Sequence, residues 1–318
     1  MITETLHPKL GDIIENIEKI MIGKRKEAVL CLTALLAGGH VLLEDVPGVG
    51  KTKLVKSLAK SVNAQFKRIQ FTPDLLPSDV LGVSIYNPKE MEFEYRPGPI
   101  MGNIILADEI NRTSPKTQSA LLEGMEEGNI TIDGVTYPLK KPFFVMATQN
   151  PIEYEGTYPL PEAQLDRFLL KMKMGYPSIQ EEVEVLTRAQ ADVSVEELEP
   201  VITTDELQEY QKEIRSVFVD ETIKEYIVHI VARTRNHPHI YLGVSPRGSI
   251  AIMKAAQAYA FLHGREYVIP DDIQFLAPYV FAHRLILKSE ARYNGITAEQ
   301  LVNDVVRTVK VPIQRYGK

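Results

Sequence analysis

Residues 41 to 52 carry the strongest structural signal in the chain, with the sequence Val41-Leu42-Leu43-Glu44-Asp45-Val46-Pro47-Gly48-Val49-Gly50-Lys51-Thr52. Their apolar beginning predicts a short buried strand. The glycines predict a tight loop, and the apolar positions between residues 53 and 62 have the spacing of one helical face. In a strand, glycine loop and helix of this kind, backbone N–H groups and the positive end of the helix bind phosphate.

The end of this segment predicts contacts with a nucleoside triphosphate. Lys51 is expected to reach the β- and γ-phosphates, and the Thr52 hydroxyl is expected to ligate Mg²⁺. The general phosphate-loop pattern has glycine at the position that Asp45 occupies here. The prediction of a nucleotide site therefore rests on Pro47 to Thr52 and on the strand and helix around them.

A second apolar strand, Ile104 to Ala107, ends in two acids, Asp108 and Glu109. Asp108 is expected to coordinate Mg²⁺, either directly or through a water molecule bound to the ion. Glu109 is expected to orient and polarise the attacking water, while positioning and charge neutralisation lower most of the barrier. An apolar strand followed by Asp-Glu is common, so this prediction depends on the phosphate loop upstream.

A third strand, Pro142 to Ala147, leads to Asn150. Asn150 is expected to hold the attacking water or to sense the γ-phosphate, and the alternative is an ordinary turn residue at a strand end. Strands alternate with helices throughout this region. That alternation predicts an α/β fold with a parallel, doubly wound sheet.

Two further segments predict hairpins inserted into this region. Residues 83 to 99 alternate around a turn at Asn87-Pro88, and residues 129 to 139 alternate around Asp133-Gly134. Between the first two helices, Ile22-Gly23 is placed where it could contact an adenine base. An ordinary helix-to-helix turn is the alternative, and the sequence does not choose between them.

The C-terminal part has a different character. The composition loosens between residues 189 and 202, which predicts a linker. We therefore expect two domains, an ATP-binding core over residues 1–190 and an all-helical lid over residues 191–318. No long strand is expected in the lid. Its predicted helices cover residues 203–217, 221–235, 245–263 and 297–309.

Arg247 has an unusual predicted position in the third of these helices. Ser245-Pro246 predicts the helix start, which places Arg247 in the first turn. A cation at the positive end of a helix is unfavourable by a few tenths of a kcal/mol, roughly. Arg247 is therefore expected to meet an external anion.

Composition limits the class of protein. The 318 residues are 44% hydrophobic and 25% charged, with a net charge of −6, which indicates a globular protein and disfavours general duplex-DNA binding. The single cysteine, Cys31, lies in an apolar helical pattern, which favours a core residue over a nucleophile. One cysteine cannot form an internal disulfide, so a reducing compartment, the cytoplasm, is expected. No membrane insertion is expected.

Taken together, the motifs resemble those of the AAA+ ATPases, and specifically those of the MoxR family. The motifs are spread in order over nearly the whole chain. They are Pro47-Gly48-Val49-Gly50-Lys51-Thr52, Leu106-Ala107-Asp108-Glu109-Ile110-Asn111-Arg112, Ala147-Thr148-Gln149-Asn150-Pro151, Leu160-Pro161-Glu162-Ala163-Gln164-Leu165-Asp166-Arg167-Phe168 and Ser245-Pro246-Arg247-Gly248.

The resemblance implies a role for each matching residue. Lys51 and Thr52 belong to Walker A, Asp108 and Glu109 to Walker B, and Asn150 is sensor 1. Arg167 is implied to be the arginine finger, and Arg247 to be sensor 2. The expected nucleotide-binding set also includes Ile22 and Gly23 between the first two helices, and it is completed by Pro47, Gly48, Val49, Gly50 and Leu54 in and after the loop. The two hairpins resemble the helix-2 insert and the pre-sensor-1 hairpin of one AAA+ branch.

The family implies an ATPase that uses ATP and Mg²⁺ in a homo-oligomeric ring, usually a hexamer with ATP at subunit interfaces. It also implies chaperone-like remodelling, maturation or assembly of a protein client, often one with a von Willebrand factor A domain. The alternatives are a nucleic-acid translocase and a metal-chelatase motor subunit, and a small-molecule kinase fits least well. A translocase needs cations on its hairpin tips, whereas the Asp133-Gly134 turn has none. Nucleic acid is therefore not expected as a partner.

Overall fold

The structure is a computed structural model, and it describes residues 6–44, 48–150, 157–190 and 194–312. The α-helices are α1 (Pro8–Ile20), α2 (Arg25–Leu36), α3 (Lys51–Ser61), α4 (Pro77–Leu81), α5 (Pro115–Glu127), α6 (Glu162–Leu165), α7 (Ile179–Gln190), α8 (Thr204–Glu213), α9 (Glu221–Arg235), α10 (Pro246–Leu262), α11 (Pro270–Phe281), α12 (Ser289–Tyr293) and α13 (Ala298–Thr308). The strands are β1 (Val41–Glu44), β2 (Phe66–Gln70), β3 (Gly82–Asn87), β4 (Glu92–Pro97), β5 (Ile104–Asp108), β6 (Asn129–Ile132), β7 (Val135–Pro138), β8 (Phe144–Gln149), β9 (Leu170–Met172), β10 (Ile240–Leu242) and β11 (Ile286–Leu287).

The central sheet has five strands in the order β2-β5-β8-β1-β9. Every neighbouring pair is parallel, with Leu42 opposite Ala147 and Leu106 opposite Met146. Because parallel strands end at the same edge, the residues after β1, β5 and β8 lie on one side of the sheet. The predicted parallel sheet is confirmed.

Helices cover both faces of this sheet. Val41 and Leu43 pack in one hydrophobic cluster with side chains of α1, α2 and α3, whereas Leu42 packs in a second cluster with Leu121 and Leu122 of α5. This alternation follows from the two-residue repeat of a strand, which sends successive side chains to opposite faces. The doubly wound arrangement expected from the sequence is confirmed.

Both expected hairpins form outside the central sheet, as β3–β4 and β6–β7. In the second hairpin Asp133 and Gly134 have φ values of 49° and 81°, which suits the mirror-image turn that joins two-residue hairpins. The two hairpins touch through Tyr95 and Tyr137, whose stacked rings have centroids 4.3 Å apart.

The C-terminal part is mainly helical. The sequence predicts α8, α9, α10 and α13, although in the first of these segments the α-helix ends at Glu213. It does not predict α11, which packs on α10 through the stacked rings of Tyr259 and Phe275. The short strands β10 and β11 pair with each other. The division between residues 190 and 191 remains a prediction, since residues 191–193 lie outside the described residues.

Cys31 is fully buried, and burial raises the pKa of its thiol, as suits a core residue. Within the described ranges, no helix is both long enough and apolar enough to cross a membrane.

Candidate functional site

The phosphate loop leads from β1 into α3. Gly48 and Gly50 have φ values of 88° and 91°, a left-handed conformation that glycine adopts without a steric penalty. Gly50 is followed directly by Lys51, the first residue of α3, and it supplies no side-chain cap to the helix. Pro47, which we expect to contact nucleotide, lies outside the described residues, as do Asp45 and Val46.

A pocket of about 410 Å³ lies beside this loop, and we call it the phosphate pocket. It brings together residues that are far apart in the sequence and that end three different elements. They include Gly48, Gly50, Lys51, Thr52, Asp108, Glu109 and Asn150. Cations, a hydroxyl and carboxylates that line one pocket are the groups that a nucleotide with a bound cation needs.

The carboxylate of Asp108 has two partners within the chain. Its Oδ1 accepts a hydrogen bond from the Thr148 hydroxyl at 2.7 Å, and its Oδ2 pairs with Nη2 of Arg68 at 2.6 Å. Thr148 is on β8 and Arg68 is on β2, the two strands that flank β5. Asp108 is therefore fixed from both sides of its own strand.

Glu109 has an uncommon backbone conformation, with φ 58° and ψ 50°. Its N–H donates to Oγ1 of Thr148 at 2.8 Å, so one hydroxyl contacts both acids. The Glu109 carboxylate accepts from Nε2 of Gln70 at 3.0 Å and pairs with Nη1 of Arg112 at 2.9 Å. A left-handed non-glycine residue costs roughly 1–2 kcal/mol and is concentrated at functional sites.

A second pocket, of about 370 Å³, shares Gly48, Gly50 and Lys53 with the first, and we call it the adjacent pocket. Its lining includes Ile22 and Val49, two residues expected to contact nucleotide. Gly23 has a different position. It has a φ of 66°, which favours glycine, and a Cβ there would lie 1.8 Å from Oε1 of the Glu181 side chain on α7.

Leu54 does not line either pocket. Its side chain is fully buried in the core, and its N–H donates to the carbonyl of Gly50 at 3.1 Å. The structure therefore gives Leu54 a packing position one turn into α3, and its expected contact with nucleotide remains a prediction.

The two predicted catalytic arginines meet at one carboxylate. Nε of Arg167 lies 2.9 Å from Oε2 of Glu126, and Nη2 of Arg247 lies 3.0 Å from Oε1 of the same carboxylate. Neither arginine is among the described residues that line the phosphate pocket or the adjacent pocket. Arg247 thus has internal carboxylate partners, whereas the sequence favours an external anion.

Asp166 extends this group. Its Oδ2 lies 3.5 Å from Nε of Arg247, and its Oδ1 lies 2.6 Å from Nε of Arg284. We call the five residues the arginine cluster. They alternate in charge in the order Arg167, Glu126, Arg247, Asp166 and Arg284.

Sequence reasoning misses several residues of these sites. Thr148 carries a detectable signal, because it follows an apolar strand next to the strand that bears the acids. Arg68 has no such signal, since its contact with Asp108 depends on β2 being the neighbour of β5. Glu126 resembles a residue on a solvated helix face when the sequence is considered alone, and only the fold reveals its two arginine partners.

Known proteins match both parts of the chain. A family model described as "ATPase family associated with various cellular activities (AAA)" matches residues 40–170, and a model described as "AAA lid domain" matches residues 232–305. The phosphate loop, Asp108, Asn150 and Arg167 lie in the first segment. Arg247 and Arg284 lie in the second.

Several relatives match over most of their length. The chain is 67% identical to the protein YeaC of Bacillus subtilis over 98% of both chains. It is 44% identical to Chaperone MoxR1 of Mycobacterium tuberculosis, over 94% of this chain and 81% of the relative. It is 29% identical to Protein MoxR of Methylorubrum extorquens, over 92% and 91%. A solved structure from Cytophaga hutchinsonii, named as an ATPase, superposes with a TM-score of 0.90 and 41% identity over 96% of each chain.

Proposed function

The chain belongs to the MoxR family of AAA+ ATPases, and from this premise we propose that it couples ATP hydrolysis to chaperone-like remodelling, maturation or assembly of a protein client. As a member of this class it binds nucleotide and hydrolyses ATP, and proteins of the class generally form oligomers. Our proposal adds a hexameric ring in the cytoplasm and a client with a von Willebrand factor A domain, as the family resemblance implies.

One observation carries the proposal, and it is the separation of the predicted catalytic residues into two groups. Lys51, Glu109 and Asn150 line the phosphate pocket, whereas Arg167 and Arg247 pair with Glu126 elsewhere. An arginine that neutralises the transferring phosphoryl group is worth about a thousandfold or more in rate. The separation supports a site shared between subunits, in which the arginine cluster of one chain serves the phosphate pocket of the next.

The residues of the phosphate pocket are suited to hold Mg²⁺ with the nucleotide. The Thr52 hydroxyl and the Asp108 carboxylate line the same pocket, and oxygen atoms are the ligands that Mg²⁺ prefers. When bound, Mg²⁺ would neutralise charge on the phosphates. Because Asp108 already has Thr148 and Arg68 as partners, we propose that it contacts the ion through water.

Within the pocket, Glu109 is proposed to orient the attacking water and Asn150 to contact it or the γ-phosphate. The Glu109 carboxylate also contacts Gln70 and Arg112, which limit the directions in which it can face. Ile22 and Val49 supply an apolar surface for the base in the adjacent pocket.

The β3–β4 hairpin offers a surface for the client. Met91 and Phe93 are 76% and 73% exposed near its turn, and the Phe93 ring packs edge-on against Tyr86. Exposed apolar groups on one projecting element are typical of a protein-interaction site. The relative named Chaperone MoxR1 supports the same class of work.

The shared site is tested by mixing two inactive variants. Glu109→Gln should bind ATP while its turnover falls by at least about a hundredfold, the usual contribution of a water-orienting group. Arg167→Ala should lose turnover because the adjacent site lacks its arginine. A mixture of the two should hydrolyse ATP. Some interfaces then combine an intact Glu109 with an intact Arg167.

Two controls define the outcome. Native mass spectrometry should show that mixed oligomers form, and a mixture of Glu109→Gln with Lys51→Ala should remain inactive, because both changes affect the same side of the interface. An inactive mixture of Glu109→Gln and Arg167→Ala, in oligomers shown to contain both, would contradict the shared site.

A further inference from the structure

Arg284 makes an unusual set of contacts around residue 167. It ends the short turn after α11, and its side chain is only 4% exposed. Its Nε–H donates to Oδ1 of Asp166 at 2.6 Å. Its other N–H groups donate to the carbonyls of Asp166 at 3.2 Å, Phe168 at 2.8 Å and Leu169 at 3.3 Å. One guanidinium from the C-terminal part therefore holds the main chain on both sides of residue 167.

The same guanidinium affects Arg247 through charge. Asp166 lies between the two arginines, with Oδ1 facing Arg284 and Oδ2 facing Arg247. Arg284 is nearly buried, so its pairing with Asp166 is little screened by solvent. With Arg284 present, part of the negative charge of Asp166 is neutralised, and the attraction of Asp166 for Arg247 is weaker.

Space for this side chain comes from α10. A Cβ on Gly248 would lie 2.3 Å from Cγ1 of Val244 and 3.2 Å from Cδ of Arg284. The first turn of α10, which carries Arg247, can therefore pack closely on the stem of Arg284. The glycine of the Ser-Pro-Arg-Gly motif has a structural reason in these two contacts, of which the one with Val244 is the closer.

We propose that Arg284 is a positioning residue, which fixes Arg167 and Arg247 in the arrangement that serves the nucleotide of the adjacent subunit. This inference rests on the proposed function, in which both arginines act across an interface. A displacement of about 1 Å in a catalytic group can cost roughly a hundredfold in rate. Arginine suits the position because its planar fork of five donors reaches several acceptors at once, whereas lysine has a single nitrogen.

The first test is Arg284→Lys, which keeps the charge and loses the fork. Turnover should fall by about tenfold to a hundredfold, which is less than the loss expected when a catalytic arginine itself is removed. The KM for ATP should change by less than about twofold, because other residues form the nucleotide pockets.

The matched control is Arg265→Lys. Arg265 makes two hydrogen bonds to buried Asp272, at 2.8 and 2.6 Å, in the same C-terminal part but away from the cluster. Turnover of Arg265→Lys should stay within about twofold of wild type.

Mixed oligomers separate positioning from general stability. Arg284→Lys should regain turnover with Glu109→Gln, which contributes an intact arginine cluster. It should not regain turnover with Arg167→Ala, because neither chain then has an intact cluster. A variant that is only less stable would not follow this pattern.

The results distinguish this inference from the proposed function. If Glu109→Gln and Arg167→Ala fail to restore each other, the shared site is wrong and the role of Arg284 is overturned with it. If that pair succeeds, full turnover of Arg284→Lys alone, or its rescue by Arg167→Ala, overturns the role of Arg284 only. If Arg284→Lys does not fold, Asp166→Asn takes its place in both mixtures. Asp166→Asn should then be rescued by Glu109→Gln and not by Arg167→Ala. Any other pattern would overturn the inference.

Discussion

Thr148 illustrates, at the scale of the residue, why part of the site is predictable and part is not. Asp108 and Glu109 follow an apolar strand, so their neighbouring sequence identifies them. The Thr148 hydroxyl accepts from the Glu109 N–H and donates to Asp108, yet nothing in its own neighbouring sequence demands this. Such contacts depend on which strands become neighbours. A polar residue at the end of an adjacent parallel strand is the one signal that could have found it.

His40 is a buried residue whose titration should affect the stability of the fold. Its Nδ1 accepts from the N–H of Val145, and its Nε2–H donates to the carbonyl of Met125. Burial lowers its pKa from 6.5 to about 4. Between these values the unfolded chain binds a proton that the folded chain does not. The free energy of unfolding should therefore decrease as the pH falls through this range, by roughly 3 kcal/mol in total.

His40→Gln isolates this contribution. The variant removes the titrating group, and carboxylates and other histidines affect both proteins alike. Urea unfolding at several pH values from about 7 to 4 should show a shallower pH dependence for the variant. If the free energy of unfolding changes equally with pH in the two proteins, His40 does not cause the loss of stability at low pH.

At the scale of the element, regular amphipathic segments were the predictable ones. The sequence predicts α9 and α13 because apolar residues repeat on one face. It does not predict α11, in which Pro278 interrupts a nearly continuous apolar run. The start of α11 does carry a signal, since Pro270 is in its first turn and the Asp272 carboxylate accepts from the N–H of Ile269. Burial on several sides removes the periodicity on which helix prediction depends.

The β3–β4 hairpin should matter for the client more than for ATP. Phe93→Ser in the Glu109→Gln background should lose the clients that the parent retains, because the exposed apolar surface is smaller. Basal turnover of Phe93→Ser alone should remain within about twofold of wild type, since the hairpin does not line the described phosphate pocket. The measurement is quantitative mass spectrometry of proteins that co-purify.

The control for the hairpin is Tyr293→Ser, which removes an aromatic side chain that is 92% exposed on α12. It should leave the co-purifying proteins unchanged. Equal recovery of clients with Phe93→Ser and Tyr293→Ser would exclude the hairpin as the client surface.

At the scale of the whole molecule, the C-terminal part packs against the core beside Arg167. Arg247 and Arg284 come from that part, whereas Glu126 and Asp166 come from the core. The sequence identifies Arg247 but leaves open whether it serves its own chain or a neighbour. Its position beside Arg167 favours the neighbour, which no local pattern could have indicated.

Mixed oligomers should decide the direction in which Arg247 acts. If it serves the neighbour, Arg247→Ala should be rescued by Glu109→Gln and not by Arg167→Ala, because Arg247 and Arg167 then fail together. If it serves its own chain, the pattern reverses. Arg167→Ala would then rescue Arg247→Ala, because its chains keep both Arg247 and Glu109. The measurement is the ATP turnover of each mixture.

If the arginine cluster of one chain serves the phosphate pocket of the next, as we propose, the division of the site also has a genetic consequence. An Arg167→Ala chain would silence the site of the chain beside it and keep its own pocket competent. A cell that makes normal and altered copies together would then carry sites disabled by a defect in another polypeptide. Alleles that encode a damaged arginine cluster should therefore be dominant. The loss of ATPase activity should increase with the fraction of chains that carry the damage.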